Sequence, residues 1–428
     1  MTAVAEYIPE EFISVNSDRY RVMVVDDSAV IRGFICRYLQ EDPDIEVVTT
    51  ASNGVNALAQ LDKHDVEVVV LDIEMPVMDG MTALPQLIDK KPDLAVVMAS
   101  TLTLKNATVS LEALQKGARD YVPKPESTRD INASIDFRRE IVEKVKAWAG
   151  RRRVKRREAL PGADTSASQQ KLAGSGRVTA ISARPRAERP VAAGFVQARR
   201  PSVARPGMTA PGNAANDQAD SNNQTGYVLR KSTTRFKPSI LAVGSSTGGP
   251  QALITFFSGF KSRPKVPIVI TQHMPAHFTK ILGQHLSTAT GWAAEEAAEG
   301  TVLQPGQIYI APGDYHLLFK ERDGAIVCHI DQGMQENFCR PAVDPMYRSL
   351  INIYKDRVLA VILTGMGHDG LKGARELVRL GGDVLAQDEK TSVVWGMPGA
   401  VATAGLCTEV LPIDQLGAAT ERRLQGVL

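Results

Sequence analysis

At 428 residues and 43% hydrophobic composition, the chain is long enough for two or three domains, each with its own core. Its net charge of +2 is unevenly spread, because residues 151–235 hold 17 Lys and Arg against 5 Asp and Glu, which leaves the rest of the chain net acidic. Cys36, Cys328, Cys339 and Cys407 form no CxxC pair, which excludes a zinc ribbon or a disulfide framework and places the expected location in a reducing cytoplasm.

Residues 1–19 form an extension with neither the basic nor the apolar region of a secretory signal. From residue 20, β-branched runs at 20–25, 46–50, 66–71, 94–99 and 120–122 alternate with segments of helical period. That is the pattern of a parallel sheet covered by helices, here with five βα units. A last amphipathic helix runs through Ile131, Ile135, Ile141, Val142 and Val145 to Trp148. The segment from 151 to 235 starts with RRRVKRR and continues in Ala, Pro, Ser, Gly, Asn and Gln. It reads as a disordered, solvated linker, with a membrane or nucleic-acid contact as the alternative use of its charge. A second α/β pattern follows, expected to form a doubly wound α/β domain, with strands at 240–243, 266–271, 308–310, 325–330, 358–363 and 384–386. No run approaches the roughly 20 apolar residues of a membrane span, so no transmembrane segment is expected. The expected organisation is an extension at 1–19, a first domain at 20–140, a helix end and basic linker at 141–236, and a second domain at 237–428.

Ligands of parallel α/β sheets bind at the carboxyl ends of the strands. In the first domain those ends carry Asp26 and Asp27, Asp72, Ser100 and Lys124. Three converging carboxylates repel one another unless a hard cation sits among them, and Mg²⁺ prefers oxygen ligands. A carboxylate, a cation, a hydroxyl and an ammonium together suit the formation of an acyl phosphate. In the second domain, Gly244-Ser245-Ser246-Thr247-Gly248 satisfies G-x-S-x-G between a strand and a helix, which exposes its central serine. Gly-rich turns of this kind also cradle phosphates. A serine nucleophile needs an imidazole base and a carboxylate to orient it. His273 follows one strand and Asp369 follows another, so both fall on the rim that carries Ser246. His368 is the rival base and Ser245 the rival nucleophile. The order Ser, His, Asp differs from that of the α/β-hydrolases.

Through VVDDS, VLDIEMPVMDG, MAS and YVPKP, residues 20–140 resemble the receiver domains of bacterial response regulators. The resemblance implies Asp72 as phosphoryl acceptor, Asp26 and Asp27 with Asp72 as Mg²⁺ ligands, and Ser100, Lys124 and Tyr121 as switch residues. It also implies a cis Lys124–Pro125 bond. GSSTGGP, ITQHMP, YIAPGDYH, RPAVD, ILTGMGHDG and WGMPGAV resemble the catalytic domain of the chemotaxis protein-glutamate methylesterases. That resemblance implies Ser246 as nucleophile, His273 as base, Asp369 as its partner and the Met366 N–H as an oxyanion donor, with no cofactor for the hydrolysis. The implied reaction is phosphorylation-activated hydrolysis of glutamate γ-methyl esters on chemoreceptor helices, with methanol released; some relatives also deamidate receptor glutamines. The implied phosphoryl donor is a chemotaxis histidine kinase. Arg340, in the RPAVD segment, is of a type that suits an anionic receptor surface. The alternatives are a receiver-controlled DNA-binding regulator, which would need a helix-turn-helix not evident here, and a non-catalytic adaptor, which would not need a complete triad. No nucleic-acid partner is expected.

Overall fold

The computed structural model describes residues 19–101, 103–124, 135–158, 226–234 and 236–426. The extension before residue 19, the Lys124–Pro125 bond, Ile131 and the linker from 159 to 225 lie outside the described residues.

The first domain alternates strictly. Its order is β1 (Tyr20–Val25), α1 (Ala29–Gln40), β2 (Ile45–Ala51), α2 (Gly54–Leu61), β3 (Val68–Asp72), α3 (Gly80–Lys90), β4 (Ala95–Thr101), α4 (Leu104–Gln115), β5 (Asp120–Lys124) and α5 (Ile135–Glu158). The five strands are parallel in the order β2-β1-β3-β4-β5. A sheet covered on both faces buries every strand residue, and β3 (VVVLD) is buried throughout. Side chains alternate between two cores. Val22, Val24, Val68, Val70 and Val97 pack toward α1 and α5, while Met23, Val25, Val69, Leu71 and Met98 pack toward α2, α3 and α4. Short polar residues start the helices: Ser28 accepts from the Ile31 N–H, Asn53 from Asn56 and Asp79 from Thr82.

The second domain runs β6 (Ile240–Ser245), α6 (Gly249–Ser258), β7 (Ile268–Gln272), α7 (Phe278–Thr290), β8 (Ala294–Glu296), β9 (Ile308–Ile310), β10 (His316–Arg322), β11 (Ala325–Asp331), α8 (Val343–Tyr354), β12 (Val358–Ile362), α9 (Leu371–Arg379), β13 (Asp383–Gln387), α10 (Met397–Thr403), β14 (Glu409–Leu411) and α11 (Ile413–Gln425). Seven strands form one sheet in the order β14-β13-β12-β6-β7-β9-β8, with every pairing parallel. From β6 the chain moves outward to β7 and β9, then returns to the other side of β6 as β12. The strand order therefore reverses between β6 and β12, which opens a crevice at their carboxyl ends.

Two expectations are corrected. The strand at 325–330 does not join the sheet but pairs antiparallel with β10 in a separate hairpin, and β10, β8 and β14 are strands that the sequence alone does not predict. The charged run at 151–157 is also not the start of a solvated linker, because α5 continues through it to Glu158. The reason is ion pairing with the buried Glu67 and the exposed Asp93. Arg153 forks onto Glu67 at 2.6 and 2.7 Å, and Arg152 reaches Asp93 at 2.7 Å. Burial pushes the Glu67 carboxyl upward, but the bonds from Arg153 and from the Arg21 N–H, with the charges of Arg153 and Arg152, together more than offset it and hold the group below its ordinary range. At the other end of the linker, Arg230 donates to the carbonyl of Leu406 and pairs with Asp383, tying that strand of chain to the second domain. No helix among the described residues is long and apolar enough to cross a membrane.

Arg153→Ala is therefore expected to lower the unfolding free energy by about 1–3 kcal/mol, because the Glu67 carboxylate stays buried without its fork. A solvated linker arginine would change it by less than about 0.5 kcal/mol. Urea denaturation of the two proteins distinguishes these outcomes.

Candidate functional site

The second-domain site sits in the crevice between β6 and β12. Ser245 and Ser246 follow each other at the end of β6, where the pleat of the strand sends successive side chains in opposite directions. Ser245 is fully buried and its hydroxyl donates to Gln272 Oε1 at 2.6 Å, so it is held inside the sheet. Ser246 is half-buried at the opening. Its backbone is fixed by three bonds: its N–H donates to Thr364 O at 3.0 Å, and its carbonyl accepts from Gly249 N at 2.7 Å and from Gln272 Nε2 at 2.9 Å. Gly248 then turns the chain through φ 75° into α6, a conformation glycine adopts without strain.

The parallel register pairs Ser245 with Gln272, so Ser246 and His273 leave neighbouring strands side by side. On the other flank, the turn after β12 presses against the serine. A Cβ added to Gly365 would stand 2.8 Å from Ser246 Cβ, so only glycine lets the peptide at Gly365 and Met366 come this close.

His273 is held from both ring nitrogens. Nε2 lies 2.8 Å from Asp369 Oδ2, and Nδ1 lies 3.3 Å from Cys339 Sγ. Burial disfavours the imidazolium, but the Cys339 sulfur and the Asp369 carboxylate favour it, and the balance raises the group to about 10. Asp369 is 1% exposed, and five donors meet its two oxygens. Besides His273, these are Asn337 Nδ2 at 2.8 Å, Val343 N at 2.6 Å, Asp344 N at 3.1 Å and Gly370 N at 3.0 Å. Val343 and Asp344 open α8, whose N-cap position is Ala342 and brings no side-chain acceptor. The Asp369 carboxylate caps that helix from another part of the chain. Burial pushes the Asp369 carboxyl upward, and the bond to His273, the imidazolium charge and the backbone donors bring it below its ordinary range.

The rivals separate on geometry. His368 is exposed beside the inward-turned Asp369, whereas His273 is the imidazole on that carboxylate. His316 is buried, bonded to Met334 O and the Ala342 N–H, and His329 pairs with Glu299. Arg340 pairs with Asp314 at 2.6 Å and donates to Gly333 O, which pins the segment before α8. Asn337, Cys339 and Gln272 were not singled out in the sequence. A signal existed in the RPAVD motif just after Asn337 and Cys339, but nothing there identified which side chains turn toward Asp369.

In the first domain, Lys124 Nζ lies 2.6 Å from Asp72 Oδ1 and 3.1 Å from Asp26 Oδ2. Asp26, Asp27 and Asp72 offer carboxylate oxygens within 4.8 Å of one another. Burial, opposed by Lys124, lifts Asp72 to about 6 and also raises Asp26. Such mutual crowding is what a divalent cation with oxygen preference would relieve. Ser100 shares a buried hydroxyl contact of 2.8 Å with Ser110. Tyr121 is buried against the second domain, stacked on Phe278 at 4.5 Å between ring centroids. Nearby, Gln251 Nε2 donates to Ala118 O at 2.9 Å, and the Arg139 guanidinium stands 4.9 Å over the Phe338 ring.

Residues 241–420 match the family model described as CheB methylesterase, and residues 22–136 match that of the response regulator receiver domain. A protein-glutamate methylesterase/protein-glutamine glutaminase of Paramagnetospirillum magneticum is 47% identical over 401 residues, covering 94% of this chain and 95% of its own. One from Azospirillum brasilense is 46% identical over 401 residues, covering 94% and 91%. The crystal structure of the Thermotoga maritima CheB methylesterase catalytic domain is 40% identical and covers 44% of this chain and 99% of its own, with a TM-score of 0.42.

The geometry at His273 sets an expectation for its ionisation. In a histidine NMR titration its imidazole should titrate above the ordinary value of about 6.5, and Asp369→Asn should move it down by at least about one unit. An unchanged titration in that variant would show that the carboxylate does not govern the ring.

Proposed function

The chain belongs to the protein-glutamate methylesterase/protein-glutamine glutaminase family, and on that premise we propose that Ser246, His273 and Asp369 carry out its hydrolysis. The observation that carries this reading is the His273–Asp369 bond of 2.8 Å beside the turn that presents Ser246. His273 accepts the Ser246 hydroxyl proton as the oxygen attacks the γ-carbonyl of a methylated glutamate. With Nε2 committed to Asp369, the transfer falls to Nδ1, which gives up its 3.3 Å contact with Cys339 Sγ, and with it the Cys339 contribution that raises the ring, before it acts as a base. Asp369 stabilises the imidazolium, which then returns the proton to the departing methanol. Water releases the acyl-enzyme by the same steps in reverse, leaving glutamate. The Met366 N–H, next to the closely packed Gly365, stabilises the tetrahedral oxyanion. Glutamine side chains enter the same path more slowly, because an amine leaves less readily than an alcohol. The substrates are the cytoplasmic helices of chemoreceptors, the phosphoryl donor is a chemotaxis kinase, and the site of action is the cytoplasm.

Asp72 accepts the phosphoryl group. Asp26, Asp27 and Asp72 would hold Mg²⁺, which when bound offsets the charge of the carboxylates and of the phosphoryl oxygens. Lys124 pairs with the phosphoryl group and Ser100 donates to it. Tyr121 couples this site to the hydrolase, since it stacks on the first residue of α7, shortly after His273. The unphosphorylated receiver restrains the hydrolase through these contacts, and phosphorylation releases it.

Two measurements test this. Ser246→Ala should reduce methanol release from methylated receptor by about 10⁴ to 10⁶, His273→Ala should fall in the same range, and His368→Ala should change it little; a Ser246→Ala rate within about tenfold of wild type would remove that residue from the mechanism. A small-molecule phosphoryl donor with Mg²⁺ should accelerate the wild-type enzyme by roughly 5- to 150-fold and leave Asp72→Ala unaffected, and equal acceleration of both would place the phosphoryl site elsewhere.

A further inference from the structure

We propose that Asn337 is a positioning residue for this hydrolysis: its side-chain amide separates Asp369 from a second buried carboxylate, Asp344, and so keeps Asp369 available to His273. This rests on the triad reading above. Asn337 Nδ2 lies 2.8 Å from Asp369 Oδ1 and 3.2 Å from Asp344 Oδ2. Both carboxylates are buried, at 1% and 0% exposure. One amide nitrogen carries two hydrogens, which is the number needed to serve two acceptors at once, and it brings no charge that would compete with the imidazolium. A hydroxyl would supply one hydrogen, and a lysine would neutralise the carboxylate it was meant to preserve.

The backbone shows that this placement is held against a cost. Asn337 and Phe338 are consecutive non-glycine residues in the left-handed region, at φ 53° and 62°. Asparagine tolerates that region better than most residues, but two in succession persist only where surrounding contacts fix them. The contacts here are the two backbone bonds that close the turn, Cys339 N to Glu336 O at 2.9 Å and Glu336 N to Cys339 O at 3.2 Å, with the two carboxylates on the Asn337 amide and Arg139 over Phe338.

The two acids are also unequally supplied. Asp369 has its five donors, whereas Asp344 receives Gly373 N at 2.8 Å in addition to Asn337. Burial and then the charge of Asp369 push the Asp344 carboxyl upward, so a proton taken up by the pair belongs on Asp344. Other ionisable groups face the pair: His273, with Cys339 behind it, and Tyr347 and Arg348 from α8, the latter paired with Glu336. Without the amide between them, the proton on Asp344 is drawn into a bridge to Asp369 Oδ1, and a carboxylate that shares a proton supports the imidazolium less.

The test uses the full chain and methanol release from methylated receptor. Asn337→Gly removes the amide and keeps a residue that accepts positive φ. It should lower kcat roughly 10- to 100-fold with KM little changed, and should move the acidic limb of the kcat/KM profile to higher pH. Adding Asp344→Asn removes the carboxylate that shares the proton, so the double variant should recover part of the rate and return the limb toward its original pH. A wild-type rate and profile in Asn337→Gly overturns the proposal. So does a rate loss with an unmoved acidic limb that Asp344→Asn fails to restore, because that is the signature of a merely structural loop contact. Ser246→Ala measured in parallel separates the two readings. If it stays active, the triad falls and this proposal with it; if it is inactive beside a wild-type-like Asn337→Gly, this proposal falls alone.

Discussion

A single buried carboxylate organises the catalytic half of this protein. Asp369 is withdrawn from water, and a charge in that position is tolerated only if donors replace the solvent it has lost. Those donors come from four separate places: His273 after β7, Asn337 before α8, the first two peptide N–H groups of α8, and Gly370 next to Asp369 itself. Satisfying the charge therefore fixes where α8 begins, how the 337–340 segment folds and which way the imidazole faces. The same requirement serves structure and chemistry, because a partner that holds five donors in place cannot drift from the ring it polarises. Its cap on α8 also explains why a helix can start at an alanine.

The position of the site follows from the sheet. Parallel strands send their connections to opposite faces where the order reverses, and the crevice this leaves between β6 and β12 receives Ser246 from one strand and the 364–370 turn from the other. Register decides the rest. Pairing Ser245 with Gln272 puts Ser246 beside His273 and leaves Ser245 pointing into the sheet, so which of two adjacent serines faces the opening is decided by strand alternation rather than by local chemistry.

The receiver meets this arrangement at its supports. Tyr121, at the edge of the receiver sheet, stacks on the residue that starts α7, and Ala118 accepts from Gln251 on α6, the helix that follows Ser246. Lys144 fastens the same edge from α5. It donates to the Tyr121 carbonyl at 2.6 Å, and although burial opposes its charge, Asp120 and Glu140 hold it protonated, raised to about 12. One apolar core runs from the receiver strands through Tyr121 to Phe278 and into the second sheet. A close-packed junction of this kind has discrete arrangements rather than a continuous range, which is the physical basis of the proposed coupling between Asp72 and His273.

Much of this could be read from residues alone. Strand-forming runs, turn glycines and acids at strand ends are local signals, so the five βα units, the cluster of Asp26, Asp27, Asp72 and Lys124, and the rim with Ser246, His273 and Asp369 all follow from the chain in order. What depends on distant partners could not be read this way. The basic run at 151–157 has the composition of a linker, and only Glu67 and Asp93 across the fold make it helix. His316–Arg322 has no strong strand signal of its own and is a strand because β11 pairs with it. Asn337 and Cys339 sit in an irregular segment whose place is set by what it touches. Sequence determines the types of side chain available at each strand end, because that chemistry is covalent and local. The tertiary structure decides which ring, which serine and which amide meet the buried Asp369, because burying a charge forces a choice among donors that lie far apart in the chain.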